Sequence, residues 1–137
     1  MNIPLLLSPK VKTAYIDYDA TVRQGLEKFR AHGFTAVPVL DDEGFYKGTI
    51  SEGDFLRCIL AEGNMSMKYL ETLCIKDIMK HDKNPPMNID DSIDAVADRL
   101  MDANFVPITD ARGCYIGIIT RKSLLRYLRE KAMVSQT

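Results

Sequence analysis

Two short stretches of this 137-residue sequence carry residue types in an order suited to holding an anion. Gly48-Thr49-Ile50-Ser51-Glu52-Gly53-Asp54 and Gly117-Ile118-Ile119-Thr120-Arg121-Lys122-Ser123 each place a glycine three residues before a hydroxyl. A glycine in a strand lets a ligand come close to the backbone. A hydroxyl residue opening a helix stands beside unpaired N–H groups and the positive end of the helix dipole, where phosphate is favoured. Ser and Thr are equally ordinary helix caps, and Ser51 with Asp54 has the spacing of a capping box. The stretches differ in charge: the first ends in Asp54, whereas the second has Ser123 there, preceded by Arg121 and Lys122. Two adjacent cations suit a ligand with more than one phosphate, and they also suit a plain solvated helix face.

Other chemistry has little to stand on. Cys58, Cys74 and Cys114 are odd in number and lack C-x-x-C spacing, and His32 and His81 stand far apart. Neither a metal site nor a disulfide framework is expected, and the cysteine usage points to the cytoplasm. No nucleophile–base pair or metal–carboxylate cluster is visible, so no catalytic residues are assigned and an enzyme is not expected. The 18 basic and 19 acidic residues give a net charge of −1, which argues against direct nucleic-acid binding through bulk charge. No apolar run approaches a membrane span, and no membrane partner is expected. Met1 to Leu7 is short, lacks a basic region and meets Ser8-Pro9 at once, unlike a signal peptide.

The elements that position these stretches come from an internal repeat. Asp19-Ala20-Thr21-Val22 matches Asp90-Asp91-Ser92-Ile93 71 positions later, and Val37-Pro38-Val39 matches Val106-Pro107-Ile108 at 69. The offset of 69 then carries Gly44, Tyr46, Gly48, Ile50, Ser51 and Arg57 onto Gly113, Tyr115, Gly117, Ile119, Thr120 and Arg126. The second copy is two residues shorter between its first helix and the next strand. Each copy reads as strand, helix, strand, strand, helix. Thr21 and Gln24 form a capping box, and Val22, Leu26 and Phe29 share a helical face, as do Ile93, Val96, Ala97 and Leu100. Asp41 to Gly44 and Asp110 to Gly113 are turns between antiparallel strands. Closing helices are expected over Ser51–Leu60 and Thr120–Glu130, with Ala132–Thr137 frayed.

Two copies of V-P-V, D-x-x-G and G-h-h-[ST] in this order resemble a tandem CBS-domain pair, or Bateman module. Ile75-Lys76-Asp77-Ile78-Met79 is similar to the short helix leading into a CBS motif, with Leu5-Leu6-Leu7-Ser8-Pro9 as its degenerate counterpart. The resemblance implies an α/β (α+β) fold of two CBS motifs, each a small β-sheet flanked by helices, packed as a pseudo-twofold pair. Motif 1 spans 3–60, a connector 61–74, motif 2 75–130 and a tail 131–137. It also implies clefts between the motifs for adenine nucleotides, each with a base wall from one repeat and a phosphate end from the other. In such clefts Asp54 stands where a carboxylate grips a free ribose diol, which a phosphodiester would not tolerate.

Lys12-x-Ala14, Gly33-Phe34-Thr35-Ala36-Val37-Pro38-Val39 and Gly117-Ile118-Ile119-Thr120-Arg121-Lys122 resemble the small CBS-pair proteins of Gram-positive bacteria that bind cyclic di-AMP. That resemblance implies a nucleotide site of Lys12, Thr13, Ala14, Phe34, Thr35, Ala36, Thr120, Arg121 and Lys122. Thr35 and the small Ala36 leave room for a base edge against the backbone, and Phe34 or Tyr15 offers an aromatic face. An alternative second site comprises Met87, Phe105, Ser51 and Asp54. Its wall includes Pro85 and Pro86, which lack backbone donors, so one working site per chain is expected.

The implied function is a stand-alone regulatory module that binds an adenine nucleotide, cyclic di-AMP foremost, without a cofactor. It would relay the nucleotide's level to a separate effector protein or enzyme. Sensing of AMP, ADP or ATP is one alternative, and a structural protein with vestigial clefts is another. A homodimer is implied, with Phe55, Leu56, Leu124 and Leu125 as candidates for its face or for the core.

Overall fold

Alternation of short apolar strands with capped amphipathic helices builds the same sheet-and-helix unit twice. The computed structural model describes residues 3–33, 35–62, 66–80 and 83–135. In the first repeat, β2 (Ile16–Asp17) runs parallel to β3 (Ala36–Leu40), which pairs antiparallel with β4 (Tyr46–Ser51). In the second, β5 (Met87–Asn88) runs parallel to β6 (Phe105–Thr109), and β6 pairs antiparallel with β7 (Tyr115–Thr120). Both hairpins are tied alike. Asp41 Oδ1 accepts from the Glu43 and Phe45 N–H groups at 3.0 and 2.9 Å, and Asp110 Oδ1 from those of Arg112 and Cys114 at 2.9 and 3.0 Å. Such Asx bonds stand in for backbone turns, and a register shift recurs after Val39 and after Ile108.

Helix α1 (Val22–His32) starts at the expected box, with Gln24 N–H on Thr21 Oγ1 at 3.1 Å and Thr21 N–H on Gln24 Oε1 at 3.0 Å. It ends at Gly33, whose φ of 65° supplies the left-handed cap. Its counterpart α5 (Ile93–Arg99) is shorter and has no glycine after it. The closing helices are α2 (Glu52–Glu62) and α6 (Arg121–Ser135). The expected fraying from Ala132 is corrected: α6 continues to Ser135, since Glu130-Lys131-Ala132-Met133 contains only good helix formers. In the connector α3 spans Met67–Leu70, while Gly63 and Asn64 lie outside the described residues.

Packing does not divide the chain where the repeat does. One compact unit comprises 14–83 and the other 1–13 with 84–137. Each is completed by the segment that precedes the other repeat. Around the first repeat, Ile75, Ile78 and Met79, from α4 (Ile75–Ile78) and its end, join Val22, Phe29, Val37, Val39 and Ile50. A β-carbon on Gly25 would stand 2.4 Å from Ile75 Cδ1, so a side chain there would push the tip of Ile75 aside. The Lys76 ammonium reaches Asp19 at 2.9 Å, and that hydrogen bond and charge raise its pKa. Around the second repeat, Ile3, Leu6 and Leu7 join Val96, Leu100, Val106, Ile108 and Ile119. β1 (Ser8–Pro9) adds to the free edge of β7, giving the sheet order β1-β7-β6-β5.

The helix leucines separate cleanly. Phe55 and Leu124 are core residues, Phe55 stacking edge-on against Phe29 at 5.1 Å, which corrects their candidacy for a dimer face. Leu56 and Leu125 are 58% and 60% exposed.

Candidate anion-binding site

In the unit holding the second repeat, β7 delivers Thr120 to the start of α6. Thr120 Oγ1 accepts from Ser123 N–H at 3.0 Å and donates to Ser123 Oγ at 2.9 Å, so the hydroxyl is a helix cap. The Arg121 N–H donates to the Asn104 carbonyl at 2.8 Å. The guanidinium turns back on the end of α5, Nε donating to the Leu100 carbonyl at 2.8 Å and Nη2 reaching the Met101 carbonyl at 3.5 Å. Those carbonyls lack the glycine cap that serves α1, and Arg121 satisfies them instead. Two donors fix the plane of a five-donor group, which leaves a pre-set cation at the helix start.

Beside it lies a cavity of about 600 Å³ lined by Asn104, Thr120, Arg121, Lys122, Leu125, Arg126 and Arg129. Among the described residues four cations and no carboxylate line it, a lining that favours an anion. Arg126 and Arg129 were not foreseen, although their spacing from Arg121 and Lys122 along one helix was readable as a shared face. Lys12 and Thr13 belong to the same unit. Lys12 is exposed at the end of the Lys10–Lys12 turn, which packs on β7. Thr13 Oγ1 bonds the Lys10 carbonyl and the Tyr115 hydroxyl, each at 2.9 Å. The expected close approach of a ligand to Gly117 is corrected: a β-carbon there would lie 2.1 Å from the Ser8 carbonyl. The chain's own β1 occupies that space.

Ala14, Thr35 and Ala36 belong to the other unit. Ala36 faces Ser51 in register, and the Thr35 carbonyl accepts from Glu52 N–H at 3.0 Å, matching the bond between Arg121 and Asn104. Tyr15 is half-buried with the Lys28 ammonium 4.9 Å from its ring centre. Phe34 and His81 lie outside the described residues.

The first phosphate end, also in this unit, is engaged by its own side chains. Asp54 is 1% exposed. Its Oδ2 accepts from the Ser51 N–H at 2.9 Å and from the Ser51 hydroxyl at 3.2 Å, and its Oδ1 from Arg57 Nη2 at 2.6 Å. The Lys83 ammonium donates to Ser51 Oγ at 2.8 Å. Met87 and Phe105, the other residues of the alternative site, lie in the second repeat's unit and are half-buried. Among the described residues no three His, Cys, Asp or Glu side chains gather as a metal site would require. Among them, no helix is long and apolar enough to cross a membrane.

A family model for the CBS domain matches residues 6–61 and 75–130. A CBS domain-containing protein of Dictyostelium discoideum is 31% identical over 121 residues, which is 82% of each chain. The structure of CbpB in complex with c-di-AMP superposes with a TM-score of 0.88 at 22% identity, covering 100% of this chain and 91% of that one. CBSX2 in complex with AMP gives a TM-score of 0.76 at 21% identity, over 96% of this chain and 98% of its own.

Proposed function

This chain belongs to the CBS-domain family as a tandem pair, and from that premise we propose that it is a nucleotide-binding regulatory module without catalytic activity. Its ligand is an adenine nucleotide, cyclic di-AMP in preference to AMP, ADP or ATP. Lys12, Thr13, Ala14, Phe34, Thr35 and Ala36 provide the base wall, and Thr120, Arg121 and Lys122 the phosphate end. The observation that carries the choice is the cavity beside Thr120, lined among the described residues by four cations and no acid. Such a lining favours a ligand with two or more negative charges and free of competition from a carboxylate. The c-di-AMP held by CbpB and the AMP held by CBSX2 support the ligand class.

The output passes to a separate effector protein, and ligand and effector must favour different states or compete for one surface. The module acts in the cytoplasm as a homodimer, with Leu56 and Leu60 of α2 and Leu125 and Leu128 of α6 as the exposed apolar residues available to its interface.

Thermal unfolding with added nucleotide tests the reading. Cyclic di-AMP at ~100 times its Kd should stabilise the protein by about 2.7 kcal/mol. If cyclic di-AMP, AMP and ATP all leave the melting temperature unmoved, the module is a ligand-independent scaffold.

A further inference from the structure

We propose that the face of α6 carrying Lys122, Arg126 and Arg129 is a binding site for a free linear oligophosphate, and that it needs no base wall. The inference goes beyond the nucleotide reading and stands apart from it, because every residue it uses lies in the unit formed by 1–13 and 84–137. At about 100° per residue, Lys122, Arg126 and Arg129 fall within roughly 60° of one another around the helix. All three line the cavity of about 600 Å³, with Thr120 and Arg121 at its helix-start end. Long side chains on a helix lean toward its N-terminus, which agrees with Arg126 and Arg129 sharing a cavity with Thr120.

The charges of this row are not answered by neighbouring acids. Ion pairs among the described residues join Arg23 to Glu27 and Glu71, Arg57 to Asp54 and Lys76 to Asp19, and none involves Lys122, Arg126 or Arg129. Glu130 is the one acid of α6 and does not line the cavity. Lys122 and Arg126 are four residues apart, and Arg126 and Arg129 three, spacings at which like charges destabilise a helix. A polyanion lying along the row relieves that repulsion.

The first repeat shows that the fold does not impose such a lining. The offset of 69 takes Lys122, Leu125, Arg126 and Arg129 onto Gly53, Leu56, Arg57 and Leu60, and these four with Ala61 line a cavity of about 440 Å³ on α2. There a glycine and a leucine stand in place of two cations, and the remaining Arg57 is held by Asp54 at 2.6 Å. One scaffold thus carries an apolar hollow in one unit and a cationic one in the other. No aromatic ring lines the cationic one among the described residues, so it offers guanidinium forks to phosphates and no face on which to stack a base. The Arg129 Cα lies about 12 Å along the helix axis from that of Arg121. Engaging both ends of the row therefore takes a chain of phosphates instead of one.

Calorimetry on the full chain in magnesium-free buffer tests this with pyrophosphate, tripolyphosphate and ATP. Tripolyphosphate should bind at least tenfold more tightly than pyrophosphate and no more weakly than ATP. Arg129 is exposed, and Arg129→Leu gives the position the first repeat's residue without disturbing a core. That variant should lose at least fivefold in tripolyphosphate affinity and less than twofold in pyrophosphate affinity. Lys131→Ala removes an equal charge from the same helix outside the cavity lining and should change neither by more than twofold. Equal losses from the two substitutions would mean attraction to the helix's bulk charge and would overturn the site. So would tripolyphosphate affinity unchanged by Arg129→Leu, or no tripolyphosphate binding by the wild type. ATP binding more than tenfold tighter than tripolyphosphate would overturn it too, because the nucleoside would then be part of the ligand. The two readings fail separately: cyclic di-AMP binding tests the nucleotide function, and tripolyphosphate binding tests the α6 row.

Discussion

The two repeats begin their closing helices with the same hydroxyl and use it in opposite electrostatic settings. Ser51 stands between a buried carboxylate and a lysine, and Arg57 closes the far side of Asp54 at 2.6 Å. Thr120 caps onto the neutral Ser123, with Arg121 locked to two backbone carbonyls and Lys122 exposed. One end is a closed network in which donors and acceptors answer one another. At the other, Arg121 donates to carbonyl dipoles, and among the described residues no acid lines the cavity beside it. Two like scaffolds differ here at three adjacent positions: Glu52 against Arg121, Gly53 against Lys122, Asp54 against Ser123.

That contrast is breakable by substitution. The largest effect is expected for Arg121→Ala, which should weaken cyclic di-AMP by ~1.5–3 kcal/mol, the range for a hydrogen bond to a charged group. Calorimetry measures this, and circular dichroism checks that α5, having lost its end cap, remains folded. Asp54→Ala should act on folding instead. Leaving its buried donors unanswered costs about 1–3 kcal/mol in urea unfolding, while cyclic di-AMP affinity stays within twofold. The reverse ranking would reassign the site to the first phosphate end. Ser123→Asp transplants the first repeat's acid into the second and should cost about 1–2 kcal/mol of cyclic di-AMP binding at an effective dielectric near 20. Affinity unchanged by it would mean that the phosphates do not approach Thr120. Lys122→Ala should cost the least, about 0.2–1 kcal/mol, and its effect should vanish in high salt because the side chain is solvated.

Much of this arrangement was legible in the sequence wherever its cause was local. The Thr21 box, the Asx turns at Asp41 and Asp110, and the strands around Val-Pro-Val are written in neighbouring residues, and doubling them reinforced each reading. The cluster Thr120-Arg121-Lys122 was visible for the same reason. Phe55 and Leu56, or Leu124 and Leu125, were not separable, because adjacent apolar residues near the edge of a helical stripe differ by 100° of rotation that only packing fixes. Arg121's second duty was hidden because it answers a missing glycine 21 residues earlier. Asn84 and Lys83 bond partners 21 and 32 residues away. Their one local sign was an asparagine before Pro-Pro, which marks a turn and says nothing of what it faces.

The exchange of leading segments carries a consequence for how the chain is made. Residues 14–83 are contiguous and hold everything their core needs, so this unit can close while the rest is still on the ribosome. The other unit cannot. Ser8 pairs with Ile118 and Pro9 with Gly117, so Ile3, Leu6 and Leu7 wait for the second repeat's strands before their apolar side chains are covered. Cutting between Cys74 and Ile75, where the repeats meet in sequence, would leave two fragments each lacking part of its own core. The halves repeat one another in sequence, yet covalent order interlaces them.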